Sequence, residues 1–333
     1  MRLLVAGLQK VAGQSSISII DEAEFGLEPY RIIRLLDSLG AKTNDASQQV
    51  FLTTHSPVVL RELASIQLHT VRTKRITKPA VVDNDEVVQP ETVQNSNLVF
   101  PLGDSEDAQK TLRACAEAFL APNVIVCEGK TEIGLIRGLD LWRQSRGYKS
   151  ILANGCYWAD GGGSSMMSRA KIFVRMGYRT ALFMDSDIRY EGSVYADLGS
   201  LGIDVIRWQD GLSTEAAIFS SVGAAQIPNL LSIASEWRSE DSIDGKIVHE
   251  SKGAYNLRQC RDNFSDDMRL LLGLCAGKGK WFKDIEPAER VLKEVIAPNW
   301  QDTDTNFTQP LTSLWQWISK SSTFQPENAA KNG

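Results

Sequence analysis

Two hydrophobic periods divide the chain. Mainly apolar runs of strand length stand at 17–20, 49–54, 123–127, 180–185 and 203–208. A continuous apolar run of that length reads as a parallel strand buried on both faces. Between and after these runs, apolar residues recur at three- and four-residue steps. Leu112, Cys115, Ala116 and Phe119 mark one helical face, with Asp104 and Ser105 as caps ahead of it and Pro122 closing it. Ile133, Ile136, Leu139 and Trp142 mark a second face ending near Gly147, and a third helix runs from Met167 to Met176. Residues 150–153 read as a short strand, 230–237, 257–274 and 288–296 as helices, and the polar tail after Thr323 as frayed. From Thr70 to Phe100, short β-prone pieces interrupted by Pro, Asn and Asp predict edge hairpins and loop. Strand–helix alternation predicts an α/β fold with a mainly parallel sheet covered by helices. The breaks define four segments, 1–70, 71–121, 122–222 and 223–333.

Composition narrows the setting. The 333 residues are 43% apolar and 23% charged, a soluble balance with ample material for a buried core. No apolar run approaches the ~20 residues that span a bilayer. The opening Met-Arg-Leu-Leu-Val-Ala-Gly-Leu lacks a long apolar region and a small-residue cleavage site. A cytoplasmic protein without membrane contact is therefore expected. The five cysteines are scattered without a Cys-x-x-Cys pair, which points to reduced, packing residues, and the three histidines have no zinc-ligand spacing. A net charge of −5 argues against a chain that coats nucleic acid by bulk electrostatics. It leaves room for an enzyme acting on nucleic acid, because clustered carboxylates carry charge that bound cations offset.

Carboxylates gather at the ends of the predicted strands. Residues 123–127 lead into Glu128-Gly129-Lys130-Thr131-Glu132, and residues 181–184 into Asp185-Ser186-Asp187. Ligands in open α/β sheets collect at the carboxyl ends of such strands. The spacing of Asp185 and Asp187 aims both to one side if the strand continues through them. Glu132 falls about one helical turn after Glu128. Acids converging on one edge repel one another unless cations sit between them, and hard oxygen ligands suit Mg²⁺ or Mn²⁺. Either piece alone is more often an ordinary turn than a metal site.

Other stretches carry one or two readings each. Ser213-Thr214-Glu215 opens an apolar helix with Ser213 as N-cap, and Glu215 reads as an early-turn acid favouring the dipole. Gly161-Gly162-Gly163 either lets a backbone approach a phosphate or is simply a turn. Arg72, Lys74, Arg75 and Lys78 read as a solvated face ahead of a phosphate-binding stripe. Gly277-Lys278-Gly279-Lys280-Trp281-Phe282-Lys283 either grips a phosphate backbone or sets solvated lysines beside two packed aromatics.

Glu128-Gly-Lys-Thr-Glu132 followed by Asp185-Ser-Asp187 resembles the Toprim metal site of topoisomerases, primases and the OLD family of ATP-dependent nucleases. Upstream, the strand ending in Asp21-Glu22-Ala23-Glu24 and the strand ending in Thr53-Thr54-His55-Ser56-Pro57 resemble the Walker B strand, D-loop and switch histidine of ABC-type ATPases. Topoisomerases and primases lack that half, so the OLD family matches the order of both signals. The resemblance implies the C-terminal half of an ABC-type ATPase domain over 1–70 and connecting strands and helix over 71–121. It implies a Toprim domain with a Rossmann-like sheet over 122–222 and a helical region over 223–333. Asp21 would help hold Mg²⁺, Glu22 would polarise the attacking water and His55 would sense the γ-phosphate. Glu128, Glu132, Asp185, Asp187 and Glu215 would hold two Mg²⁺ or Mn²⁺ ions, with Glu128 either a ligand or a proton-transfer group. Lys283, or else Lys280, would stabilise charge on the scissile phosphate.

The implied activity is metal-dependent cleavage or nicking of DNA, with phage defence as the setting that the family suggests. The implied partners are DNA, a second copy paired through the ATPase half, and a helicase. A catalytically silent scaffold, or a regulatory ATPase fragment of a DNA-processing complex, is the competing reading. An ATP-driven transporter subunit would have no use for the Toprim acids. No Gly-x-x-x-x-Gly-Lys-[Ser/Thr] loop occurs in the chain, and no Leu-Ser-Gly-Gly-type signature precedes the Walker B-like strand. Residues 2–8 read as the helix that follows such a signature, so the chain is expected to be a fragment or one half of a split protein. ATP would act as a cofactor only beside a complete ATPase domain. The purified chain is expected to release no phosphate from ATP, and a sensitive phosphate-release assay showing turnover would contradict this.

Overall fold

A computed structural model of the chain describes residues 16–42, 48–78, 81–83, 86–89, 92–208 and 211–321. The opening helix-like segment and the tail after Thr323 lie outside the described residues. The chain divides into two compact units, 1–120 and 121–333.

In the first unit, strands β1 (Ser16–Ile20) and β2 (Gln48–Leu52) pair in parallel, with Ile17 opposite Gln49 and Ile19 opposite Phe51. Helices α1 (Pro29–Ser38) and α2 (Pro57–Glu62) each start on a proline, whose fixed φ and missing N–H suit the first helical turn. Ile32, Leu36 and Val59 from these helices and Leu63, just past α2, form a small core with Leu27 and Leu52 packed against it. The other face of the sheet leaves Ile17, Ile19 and Phe51 exposed. Strands β3 (His69–Lys78) and β6 (Thr92–Pro101) form a continuous antiparallel ribbon. Between them in the sequence lies the short antiparallel pair β4 (Val81–Asp83) and β5 (Glu86–Gln89). The expected hairpins are thus one long ribbon and one short one. Arg72 lies on β3, while the side chains of Lys74, Arg75 and Lys78 lie outside the described residues. Helix α3 (Glu106–Ala114) starts at Ser105, whose hydroxyl accepts the N–H of Ala108 at 3.2 Å.

The second unit is built on four parallel strands, β7 (Asn123–Cys127), β8 (Cys156–Asp160), β9 (Arg179–Met184) and β10 (Ile203–Arg207), in the order β10-β9-β7-β8. The two central strands are almost wholly buried and the outer two only in part. That difference explains why the apolar runs at β7 and β9 were the cleanest in the sequence. Helices α4 (Lys130–Gln144), α5 (Met166–Arg175) and α6 (Gly192–Ser200) connect the strands. The chain goes from β7 outward to β8, then returns past β7 to β9. The direction of winding therefore reverses between β7 and β9, and their carboxyl ends flank the crevice where such sheets bind ligands. No single helix among the described residues is long and apolar enough to cross a membrane.

Helices α7 (Thr214–Ser221), α8 (Ile227–Trp237), α9 (Glu240–Glu250), α10 (Leu257–Asp262), α11 (Met268–Gly279), α12 (Ile285–Arg290) and α13 (Thr305–Ser321) complete this unit. Their apolar faces share one core with the sheet, including Ile125, Phe183, Phe219, Leu230, Leu272, Phe282 and Phe307. Three expectations are corrected. Residues 150–153 are not a strand. Asp140 accepts the N–H of Ile151 at 2.8 Å, Gly155 turns left-handed at φ 69°, and the strand begins only at Cys156. The helix expected over 257–274 is two, broken after Asp262, where Asn263 leaves helical geometry at φ −133° and ψ 49°. Strand β9 stops at Met184, so Asp185 and Asp187 do not share a strand face.

Three glycines set how closely helices pack against one another in this unit. A Cβ on Gly134 would lie 2.4 Å from the carbonyl of Ile285, and one on Gly138 2.3 Å from that of Glu289. Helix α4 can therefore lie against α12 only with bare backbone there. Likewise a Cβ on Gly273 would stand 2.7 Å from the Cα of Ala216, which ties α11 to α7. Gly138→Ala is expected to lower stability to urea by about 1–3 kcal/mol through overpacking. Gly245→Ala, in α9 with nothing within 4 Å, should instead raise it, by up to about 1 kcal/mol through helix propensity. The same sign for both variants would contradict the close-packing account.

Candidate functional site

The acids predicted from the second unit assemble at the β7–β9 crevice. Glu128 follows β7 directly, its N–H bonded to the carbonyl of Phe183 at 2.9 Å. Its Oε2 accepts the N–H of Asp185 at 3.0 Å, so the carboxylate behind one strand holds the first residue behind the other. Gly161 and Gly163 donate N–H bonds to the carbonyls of Cys127 (2.6 Å) and Glu128 (2.9 Å). A Cβ on Gly161 would sit 2.3 Å from the Cys127 oxygen. The glycine-rich turn thus serves a close approach to the chain's own strand end, which the sequence left open between two readings.

Glu132, in the first turn of α4, is buried. Its Oε2 accepts the N–H of Gly129 at 3.0 Å, and its Oε1 accepts the hydroxyl of Thr214 at 2.6 Å. Thr214 in turn accepts the indole N–H of Trp208 at 2.7 Å. Ser213 caps α7 as expected, its hydroxyl accepting the N–H of Ala216. Glu215, the next acid, is 0% exposed, and among the described residues neither of its oxygens makes a hydrogen bond. Lys283 Nζ stands 3.4 Å from Glu215 Oε1, an ion-pair distance without hydrogen-bond geometry. Lys283 is held there by its neighbours. The carbonyl of Phe282 accepts the Thr131 hydroxyl at 3.1 Å, and Asp284 pairs with Lys130 at 3.3 Å, both at the start of α4.

The three lysines of this stretch separate clearly. Lys278 pairs with Glu250 at 2.7 Å. Lys280 is an exposed left-handed helix terminus whose carbonyl accepts a bond from Arg238. Only Lys283 of the three reaches the acids, and Trp281 and Phe282 are packed in the core. Sequence reasoning passed over Thr131, Ser186, Trp208 and Thr214. Ser186 bonds to both the carbonyl and the N–H of Leu212, which ties the Asp185–Asp187 loop to the loop before α7. Neutral side chains of this kind leave no spacing signal in a sequence.

Electrostatics follow from this crowding. Burial first, then the hydrogen bond with Asp187 and the charges of Glu128, Asp187 and Glu132, pushes Asp185 up to about 9. Burial pushes Glu132 up to about 7, against the Thr214 hydroxyl that pulls it down. For Lys283, burial lowers the pKa, but Glu215, Glu132 and Asp185 outweigh it and the ammonium is raised above its ordinary value. Among the described residues no three His, Cys, Asp or Glu side chains already converge as a cage for a metal ion. The donor set nonetheless fits a hard divalent cation: all are carboxylate oxygens, two of them on Glu215 are buried without a hydrogen bond, and Asp185 resists ionising beside its neighbours.

In the first unit, Asp21, Glu22 and His55 lie exposed beyond the carboxyl ends of β1 and β2. Asp21 accepts the Thr53 hydroxyl, and Thr53 also accepts the N–H of Glu22 at 2.9 Å. Glu24 accepts both the Thr54 hydroxyl (2.9 Å) and the N–H of His55 (2.6 Å). Glu22 adopts φ 45°, a left-handed conformation uncommon for a residue with a side chain. No protein-family model matches the chain, and no match was found among curated proteins.

Two carboxylates with raised pKa values make stability depend on pH. The folded chain binds more protons than the unfolded one between about pH 4 and their raised values. Their contribution is fully present below about pH 4 and is lost as pH rises through about 7 for Glu132 and about 9 for Asp185. In EDTA the melting temperature of this unit should therefore fall between pH 5 and 9, and Asp185→Asn should raise it at pH 8. The size follows roughly 2–4 °C for each kcal/mol of relieved repulsion. Adding Mn²⁺ at pH 8 should raise the parent chain more than Asp185→Asn. A melting temperature flat with pH and insensitive to Mn²⁺ would contradict this account.

Proposed function

We propose that residues 121–333 form a Toprim-type, metal-dependent phosphodiester hydrolase acting on DNA, within an OLD-like chain whose first unit is the C-terminal part of an ABC-type ATPase domain. The observation that carries the reading is Glu215, fully buried, facing Lys283 at 3.4 Å and with neither oxygen hydrogen-bonded among the described residues, beside the acids at the strand-order reversal. A carboxylate in that condition is costly to bury. Such a site makes sense as one built for a charged ligand.

Glu128, Glu132, Asp185, Asp187 and Glu215 would hold Mg²⁺ or Mn²⁺, which when bound supplies water activation and offsets charge on the leaving oxygen. Lys283 meets the negative charge of a phosphate and keeps its proton, because the surrounding acids raise its pKa. Glu128 keeps Asp185 in place through the backbone N–H it accepts. The setting is a cytoplasmic one. In the first unit, the Asp21–Thr53 and Glu24–His55 bonds hold the two strand ends side by side, the arrangement an ATPase needs around a nucleotide. The candidate partners are DNA, a second copy paired through the first unit, and a helicase.

One observation favours the other reading, a catalytically silent scaffold: the described acids do not already form a closed cage of three. Plasmid cleavage separates the two. Nicking with Mg²⁺ or Mn²⁺ is expected, with none in EDTA. Asp185→Ala should abolish it, and Lys283→Met should slow it by about 10²–10³-fold, as for loss of one preorganised charge-stabilising group. Nicking by Asp185→Ala at the parent rate would overturn the hydrolase reading, and no cleavage by the parent chain under any divalent ion would favour the scaffold.

A further inference from the structure

We infer that Thr214 is the positioning residue of the acidic site, acting through a buried relay that runs from α13 to Glu132. The inference rests on the reading of Glu132 as a ligand, and its geometry can be tested without that reading. Phe307 of α13 stacks on the Trp208 indole at 4.5 Å and 6°, and Phe183 of β9 meets the same ring edge-on at 5.2 Å. These two rings fix the direction of the indole N–H. An indole nitrogen only donates, so the Thr214 oxygen must accept that bond. Thr214 has one hydroxyl proton, and with the oxygen engaged by Trp208 that proton points at Glu132 Oε1, 2.6 Å away. The polarity of the chain is thus set from its apolar end.

Thr214 is also the first residue of α7, directly before Glu215. One buried hydroxyl therefore joins the helix that carries Glu215 to the helix that carries Glu132. The glycine contact between α11 and α7 keeps α7 from drifting, since Gly273 allows no more room at Ala216. Trp208, Thr214 and Glu132 are all buried, so water does not compete for these bonds. Thr214 touches no substrate in this account. It fixes the spacing and orientation of two carboxylates, as hydrogen-bonding neighbours of metal ligands do.

The test compares the parent chain with Thr214→Val, which keeps the shape and removes the hydroxyl, and Thr214→Ser, which restores the hydroxyl. Two readouts are taken: Mn²⁺ binding by calorimetry, and the Trp208 indole N–H signal in EDTA, assigned by NMR from its contacts with the Phe307 and Phe183 rings. Thr214→Val should weaken Mn²⁺ binding by about 10–100-fold, with Thr214→Ser within about threefold of the parent. In EDTA, Thr214→Val should shift the indole signal toward that of a free indole and speed its exchange with solvent, and Thr214→Ser should restore it. An unmoved indole signal, or Mn²⁺ affinity unchanged in Thr214→Val, would overturn the relay. Should the parent chain take up no Mn²⁺, the metal reading of the site falls and the indole signal alone decides. Lost in Val and regained in Ser, it upholds the relay; unchanged, it overturns it.

Discussion

Buried negative charge is the quantity that the second unit is arranged to tolerate. Glu132, Asp185 and Glu215 are all shielded from solvent within one crevice, with Glu128 half-buried beside them. Each charged carboxylate taken out of water is costly unless it is paired or hydrogen-bonded. The chain meets this in three ways. Glu132 is given two donors, Asp185 resists ionising, and Glu215 is offered, among the described residues, only the ammonium of Lys283. The last two are partial solutions, and partial solutions of this kind concentrate where a ligand completes the balance.

The charge arrangement depends on helices that stand far apart in sequence. Lys283 reaches the acids because Phe282 and Asp284 are fastened to the first turn of α4, and because α12 lies against α4 through Gly134 and Gly138. Side chains at those two glycines would push α12 outward and carry Lys283 with it. The C-terminal helices are therefore a part of the site and not a cover laid over a finished domain. Trp208 carries the same dependence further, since its ring is held by Phe307 from α13 while its nitrogen serves Thr214.

The first unit shows the same logic in a more open form. Asp21, Glu22 and His55 are exposed, and the bonds that hold them are made by Thr53, Thr54 and Glu24 around them. The β1–β2 sheet buries one face and leaves Ile17, Ile19 and Phe51 on the other. Parallel strands ordinarily have both faces covered.

The sequence by itself determined the parallel α/β character of the second unit, because central strands buried on both faces must be continuously apolar, and β7 and β9 are. It also placed Glu128 and Asp185 at strand ends, since acids directly behind such runs have nowhere else to go. Helices with broad apolar faces were legible too. Helix α9, with Ile243 and Ile247 as its buried residues, was not, nor was α13, which carries Pro310 inside it. Residues 150–153 were misread because turn bonds within 150–155 and the bond from Asp140 outweigh a short apolar pattern, and the break after Asp262 because Asn263 leaves helical geometry there. Only the tertiary structure separated Lys283 from Lys280, left Glu215 without hydrogen bonds, and brought Trp208 and Thr214 to Glu132. Those outcomes depend on contacts between helices whose spacing is set by missing side chains at Gly134, Gly138 and Gly273. A linear pattern records which faces are apolar; how closely two faces approach is decided when they meet.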